Sequence, residues 1–263
     1  MNTLATKKNN LFLLLAGIFI TNALLAEIVG VKIFSFENTL GLPPAQIKLF
    51  GDFVLDFNLT AGVILWPVVF ITTDVINEYF GKAGVKKISF LTVGLIAFAF
   101  VIIYIITILP PAAFWLDVNK SGPDGENLNI DFAFNKIFRQ GLGIIIGSLI
   151  AFLIGQLLDV FVFQKLRKFT GAKMIWLRAT GSTLVSQFVD SFVVLGIAFY
   201  VFGNWSLTLV FSVGIINYIY KFVVAIVLTP VIYLAHHLID SYLGRENAEQ
   251  MTETATEGSD SFF

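Results

Sequence analysis

The 263 residues contain no cysteine, which excludes disulfide staples and thiol chemistry. Histidine occurs only as the adjacent pair His236-His237 at the end of the last apolar run. No HExxH helix, no GxSxG elbow and no histidine inside a long apolar run is present, so an intramembrane enzyme has little to be built from. GxxxxGK[ST] is also missing, so the chain does not itself hydrolyse ATP. Charged residues make up 13% of the chain, about half the usual share of a soluble domain. A net charge of −1 argues against a nucleic-acid partner.

Apolar residues are what the chain has in excess. They make up 57%, with 28 phenylalanines and a mean hydropathy of +0.83. Runs near 10–32, 57–81, 87–109, 135–164, 179–203 and 207–239 are each long enough to cross a hydrocarbon layer of about 30 Å at about 1.5 Å per residue. The first follows Lys7 and Lys8 but continues through Glu27 and Lys32 with no small-residue cleavage site, so it reads as a retained span. The expected fold is an all-α membrane protein of six transmembrane helices in one domain covering 1–243.

Basic residues set the expected orientation. Lys7 and Lys8 precede the first run, and Lys82, Lys86 and Lys87 follow the second. Lys165, Arg167, Lys168, Lys173 and Arg178 follow the fourth, and Arg245 follows the sixth. The alternate segments carry only Lys32, Lys48, Lys120, Lys136 and Arg139 over longer stretches. The positive-inside rule therefore places both termini in the cytoplasm. Two outer connections, 33–56 and 110–134, contain Pro43-Pro44 and Pro110-Pro111, and the second includes the acidic turn Ser121-Gly122-Pro123-Asp124-Gly125. Residues 244–263 are polar, and their composition predicts a disordered tail.

Polar groups inside the apolar runs are the candidate site, because an ionised side chain there costs about 2.5–3.5 kcal/mol on insertion scales. In the second run Trp66, Phe70, Asp74, Asn77, Glu78 and Gly81 recur at three- and four-residue steps and share one helical stripe. Pro67 frees a carbonyl one turn earlier. In the fifth, Thr183, Gln187, Asp190 and Ser191 share a face; the sixth carries Asn217, Tyr218 and Lys221. Asp190 and Lys221 reach similar depth, which predicts an ion pair between antiparallel helices. Glu27 lies in the outer third of the first run, and Gln156 and Asp159 lie in the fourth. Gly143, Gly147, Ala151 and Gly155 form a small-residue stripe that invites a close neighbour. The two histidines have no evident partner and read as an interface pair. Mixed-sign charges on different helices suit one occluded site better than the ring of a channel.

The string Pro67…Asp74-Val75-Ile76-Asn77-Glu78-Tyr79-Phe80-Gly81-Lys82 resembles the signature of the queuosine precursor transporter family, also called the vitamin uptake transporter family. The likeness extends to Trp176-Leu177-Arg178, Ser182, Ser186-Gln187 and Asp190-Ser191, and then to Tyr218, Lys221, Thr229-Pro230 and Tyr233, covering roughly 10–240. Trp66, where phenylalanine is more usual, and a longer outer loop at 110–134 are departures.

The resemblance implies import of a 7-deazaguanine base for queuosine in tRNA, with no cofactor. On that reading a buried carboxylate, Glu78 or Asp190, accepts from the guanine-like edge. Asn77, Gln187 or Lys221 donates to the neighbouring carbonyl, Trp66 or Phe70 stacks on the ring, Asp74 or Glu27 favours a cationic substituent, and Asn217 is a further candidate for contact with the substrate. Three alternatives stay open: another small planar vitamin-like solute, a substrate-binding subunit of an ATP-driven importer, and a membrane sensor or assembly subunit with a structural polar network. Facilitated diffusion and proton coupling are equally open.

Overall fold

Long apolar runs without internal turn signals become long helices, because hydrocarbon leaves backbone N–H and C=O groups no partner but each other. The computed structural model describes residues 4–48, 53–122, 125–139, 142–170 and 174–257. Of the sequence expectations, those on Pro123, Asp124, Lys173 and 258–263 lie outside the described residues. The helices are α1 (Leu4–Val29), α2 (Phe36–Thr39), α3 (Trp66–Thr107), α4 (Ala113–Val118) and α5 (Ile130–Phe138). They continue with α6 (Leu142–Thr170), α7 (Ile175–Leu195), α8 (Leu207–Val227), α9 (Thr229–Leu243) and α10 (Arg245–Glu257). Five of them, α1, α3, α6, α7 and α8, contain stretches long and apolar enough to cross a membrane. The protein is an all-α membrane protein.

Helix α3 spans both runs expected at 57–81 and 87–109. Straight, its 42 residues would measure about 63 Å, twice the hydrocarbon thickness. Gly81 interrupts it with φ 66° and ψ −172°. A Cβ on Gly84 would lie 2.7 Å from Phe80 Cβ and 3.3 Å from Ile76 Cγ2. Residues eight apart in a straight helix are separated by about 12 Å, so the chain turns back on itself at Gly81 and leaves two arms, 66–80 and 82–107. The first arm begins later than expected. Residues 58–60 form β4, paired antiparallel with β1 (Ile33–Ser35), and a 3₁₀ turn covers Ala61–Ile64. Two further short strands, β2 (Ile47–Lys48) and β3 (Val54–Leu55), pair within the connection between α1 and α3.

The sixth run also breaks. Leu228 separates α8 from α9, where Pro230 sits in the first turn without a donor to continue α8. Helix α7 ends in a π-turn at Gly196–Val201, and α6 lies along both. A Cβ on Gly147 would come 3.1 Å from Ala198 N and 3.3 Å from Val194 O, and Ala151 is buried. The small-residue stripe is thus the close helix contact that its composition suggests.

The connections sort to two ends. Lys7 Nζ donates to Tyr242 O at 2.8 Å, Arg167 donates to Thr252 O, and Gly81 abuts Ala255, which gathers the basic connections at one end. At the other, Ala61 N–H donates to Lys32 O at 2.7 Å, Gly62 abuts Ala26 O, and Arg139 stacks 4.9 Å from the Tyr104 ring. The core between them is built on Phe19, Val69, Val75, Ile76, Tyr79, Val85, Ile88, Ile96 and Phe152. Leu13, Phe98, Phe211 and Val227 remain on the outer apolar surface, where lipid is the expected neighbour.

The expectation of a disordered tail from 244 fails over 245–257, which are helical as α10. Its composition is polar, but Ala248 and Met251 are buried against the core and Ala255 meets Gly81. These three recur at i, i+3 and i+7, a narrow apolar stripe that is enough once a bundle end is there to receive it.

Candidate functional site

The first arm of α3 carries its polar stripe into the middle of the bundle. Trp66 and Phe70, four residues apart, stack with ring centroids 6.0 Å apart and planes 17° from parallel. Each lines two cavities. The first is bounded by Trp66, Phe70, Asp74, Thr180, Thr183 and Lys221 with apolar residues of α8 and α9. The second is bounded by Trp66, Phe70, Phe152, Gly155, Gln156, Asp159, Ser186, Gln187 and Asp190. The aromatic pair therefore bounds both an apolar slot and a polar chamber.

Asp74 is 2% exposed, and its Oδ1 accepts no hydrogen bond from the described residues. Asp159 and Gln187, each 5% exposed, have Asp159 Oδ2 and Gln187 Oε1 in the same condition. A buried oxygen without a donor costs about 1–3 kcal/mol, so three around one aromatic pair need an explanation. Gln156 Oε1, by contrast, accepts from Thr73 Oγ1 at 3.1 Å.

Charge is handled in two clusters. Arg178 grips Glu78 in bidentate fashion, Nε to Oε2 at 3.0 Å and Nη2 to Oε1 at 2.7 Å. Arg167 Nη2 stands 3.4 Å from the same Oε1, and its Nη1 donates to the Glu78 carbonyl at 3.1 Å. The expected Asp190–Lys221 pair is present, with Nζ 2.5 Å from Oδ2. Toward the basic end, Tyr79 OH donates to Asp240 Oδ1 at 2.6 Å and lies 3.0 Å from His236 Nδ1. His236 is thus buried with a partner on α3, which corrects the reading of an unpartnered interface pair.

The predicted residues separate into groups. Trp66, Phe70, Asp74 and Lys221 share the first cavity, and Gln187 and Asp190 line the second. Glu78 lines neither, because two arginines hold its oxygens. Asn77 Oδ1 accepts from Gln164 Nε2 at 2.7 Å, outside both cavities. Glu27 accepts from Ser148 Oγ, and Asn217 is half-buried on α8 away from either wall. Sequence reasoning named Asp159 and Gln156 but gave them no role, and it counted Arg167 as a topology marker and Arg178 as that and part of the resemblance, without a partner for either. An arginine and a glutamate at matching depth on different helices were the available signal for the second case.

Buried ion pairs and a polar chamber among lipid-length helices define a multi-pass membrane protein whose polar interior serves a solute. A family described as "Putative vitamin uptake transporter" matches residues 60–235. A "Probable queuosine precursor transporter" of Bacillus subtilis (strain 168) is 30% identical over 195 residues, covering 73% of this chain and 76% of that protein. A protein of the same description from Haemophilus influenzae is 31% identical over 200 residues, 73% of each chain. A "Queuosine precursor transporter" of Escherichia coli (strain K12) is 26% identical over 180 residues, covering 66% of this chain and 71% of that one. No solved structure matches the chain. The chain belongs to the vitamin uptake transporter family, and is a transporter rather than an enzyme, multi-pass in a bacterial inner membrane.

Proposed function

We propose that this protein imports a queuosine precursor or salvage base of the 7-deazaguanine type. The observation that carries the reading is the slot in which a stacked Trp66–Phe70 wall, an Asp74 carboxylate oxygen without a donor, and the Lys221 ammonium come together. A guanine-like edge presents N1–H and an exocyclic amine, both donors, beside a carbonyl acceptor. Asp74 accepts the two donors, Lys221 or Thr183 donates to the carbonyl, and the flat ring lies against the aromatic pair.

On this reading the two arms of α3 are separate crossings, giving six, with both termini and the Glu78 cluster on the cytoplasmic side. Glu78 acts as a structural counter-charge below the slot and does not touch the base. The similarity to queuosine precursor transporters supports the substrate class, while the family's description also supports a different planar vitamin-like solute in the same slot.

The test uses a bacterial strain that neither makes the precursor nor has its own importer. It expresses this chain and receives each candidate base at low concentration, and queuosine in its tRNA is measured. The expected result is restoration by one base, lost in Asp74→Asn and reduced in Trp66→Ala. No restoration by any base, from well-expressed and membrane-inserted protein, overturns the proposal in favour of another solute.

A further inference from the structure

Behind the Trp66–Phe70 pair, the second cavity differs in chemistry from the slot. Ser186 Oγ lies 3.1 Å from Asp159 Oδ1 and 3.0 Å from Thr183 O. A hydroxyl has one proton, so it serves only one of these acceptors at a time. Ser182 Oγ donates to Ala179 O at 3.1 Å, and the hydroxyls of Ser182 and Thr183 also hydrogen-bond to Asp159. Whichever acceptor takes its proton, Ser186 Oγ keeps lone pairs beside the Asp159 carboxylate. Asp159 Oδ2 and Gln187 Oε1, both fully shielded from solvent and without a protein donor, border the same cavity.

Charge accounting points the same way. Glu78 is held by Arg178 and Arg167, and Asp190 by Lys221. Asp74 and Asp159 then remain, and they lie close enough to repel one another, with Arg178 the nearby cation. Among these seven groups four carboxyls face three cations, so Asp74 and Asp159 can both be ionised only if one further positive charge joins them. An ionisable side chain inside a membrane bundle marks a functional site by default.

We propose that Asp159, the Ser186 hydroxyl and the Gln187 amide oxygen, which line one cavity, bind a monovalent metal cation of the sodium type. Hard cations take oxygen ligands, and this set supplies up to four, two of them from the carboxylate. The site explains both donor-less oxygens and supplies the further charge. It also supplies a coupling route: the cation chamber and the base slot share Trp66 and Phe70, so filling one fixes a wall of the other. Such coupling is reciprocal, each ligand tightening the other by the same factor. The coupling role rests on the transport reading above; cation binding does not.

The test takes the full chain, purified in detergent, and follows its thermal unfolding in sodium, potassium or choline chloride at equal ionic strength and pH. A ligand that binds only the folded state raises the melting temperature by mass action. The expected result is a rise of several degrees in sodium over choline, absent in Asp159→Asn. Equal melting in all three salts overturns the site, as does an undiminished sodium response in Asp159→Asn. A response to pH alone overturns it in favour of a carboxyl proton. Should Asp159→Asn not fold, Gln187→Met keeps the volume and removes one ligand. Its half-saturating sodium concentration is expected to rise at least tenfold, and an unchanged value overturns the assignment. Base uptake into vesicles under an imposed sodium gradient separates the two readings. A sodium response with no base bound defeats only the transport reading, and base uptake indifferent to sodium defeats only this one.

Discussion

Replacing Arg178 by methionine removes the main partner of the most deeply buried acid–base pair in the bundle. Arg178 is 1% exposed and Glu78 4%, and the two make two direct hydrogen bonds. Removing one member of a buried ion pair costs about 3–5 kcal/mol, because the charge left behind has neither water nor partner. Arg167, 3.4 Å from Glu78 Oε1, remains as a partial substitute, so Arg178→Met is expected at the lower end, about 3 kcal/mol. Glu78→Met leaves two guanidiniums beside one another and is expected nearer about 5 kcal/mol. The double replacement removes both charges and lets Arg167 rely on its carbonyl contacts at Glu78 and Thr252, so its loss should fall short of the sum by about 2–3 kcal/mol. Reversible unfolding in mixed micelles, followed by far-ultraviolet circular dichroism, measures all three. Losses that add to within about 0.5 kcal/mol would refute the pairing argument. The folded double variant should still take up base, since Glu78 faces arginines and not the slot; loss of uptake with normal folding would return Glu78 to the binding site.

Three further outcomes follow from the geometry. Gly81→Ala should destabilise by about 1–2 kcal/mol from its left-handed backbone alone, and more because the new Cβ would meet Ala255 O at 2.9 Å, whereas Gly94→Ala, with nothing within 4 Å, should be neutral or stabilise by up to about 1 kcal/mol; melting temperatures compare them. Asp190→Asn and Lys221→Met should each lower folded yield and, combined, lose less than the sum, since the pair is direct and only 17–22% exposed. Glu37, in the connection between α1 and α3, is pushed up by burial. Hydrogen bonds from Phe57 N–H at 2.6 Å, its own N–H, Ser35 Oγ at 3.2 Å and Ala45 N–H at 3.4 Å outweigh this and hold it below the usual carboxylate range. Its contribution to stability is therefore present above the unfolded value and is lost as pH falls through the folded one. Thermal unfolding between pH 6 and pH 3 should show an acid loss that Glu37→Gln lacks.

The spans were legible in sequence because apolar length is a local property, and the Asp190–Lys221 pair followed from depth counted along two adjacent runs. Breaks were harder to read. Gly81 looked like the end of one span, but its positive φ lets the chain turn back with no loop at all. The α10 stripe of Ala248, Met251 and Ala255 is too thin to predict a helix by itself, and it takes that form because the end of the bundle receives it. The surroundings of Glu78 were hidden for a related reason: in sequence it is an acid on the same stripe as Asp74, and nothing nearby shows that Arg178, one hundred residues on, occupies its oxygens.

Composition and periodicity alone determined that this chain lives in a membrane as helices, which end carries the basic turns, and that acids and amides sit at depth. Those properties depend on each residue's own transfer energy and on spacing along one helix. Tertiary structure decided which acids are neutralised and which stay available, dividing the α3 stripe between the Glu78–arginine cluster and the Asp74 slot and setting the Asp159 chamber of α6 beside them. That division turns on contacts between α3, α6, α7 and α8 within a few ångströms, and pairing across helices is a property no single segment carries.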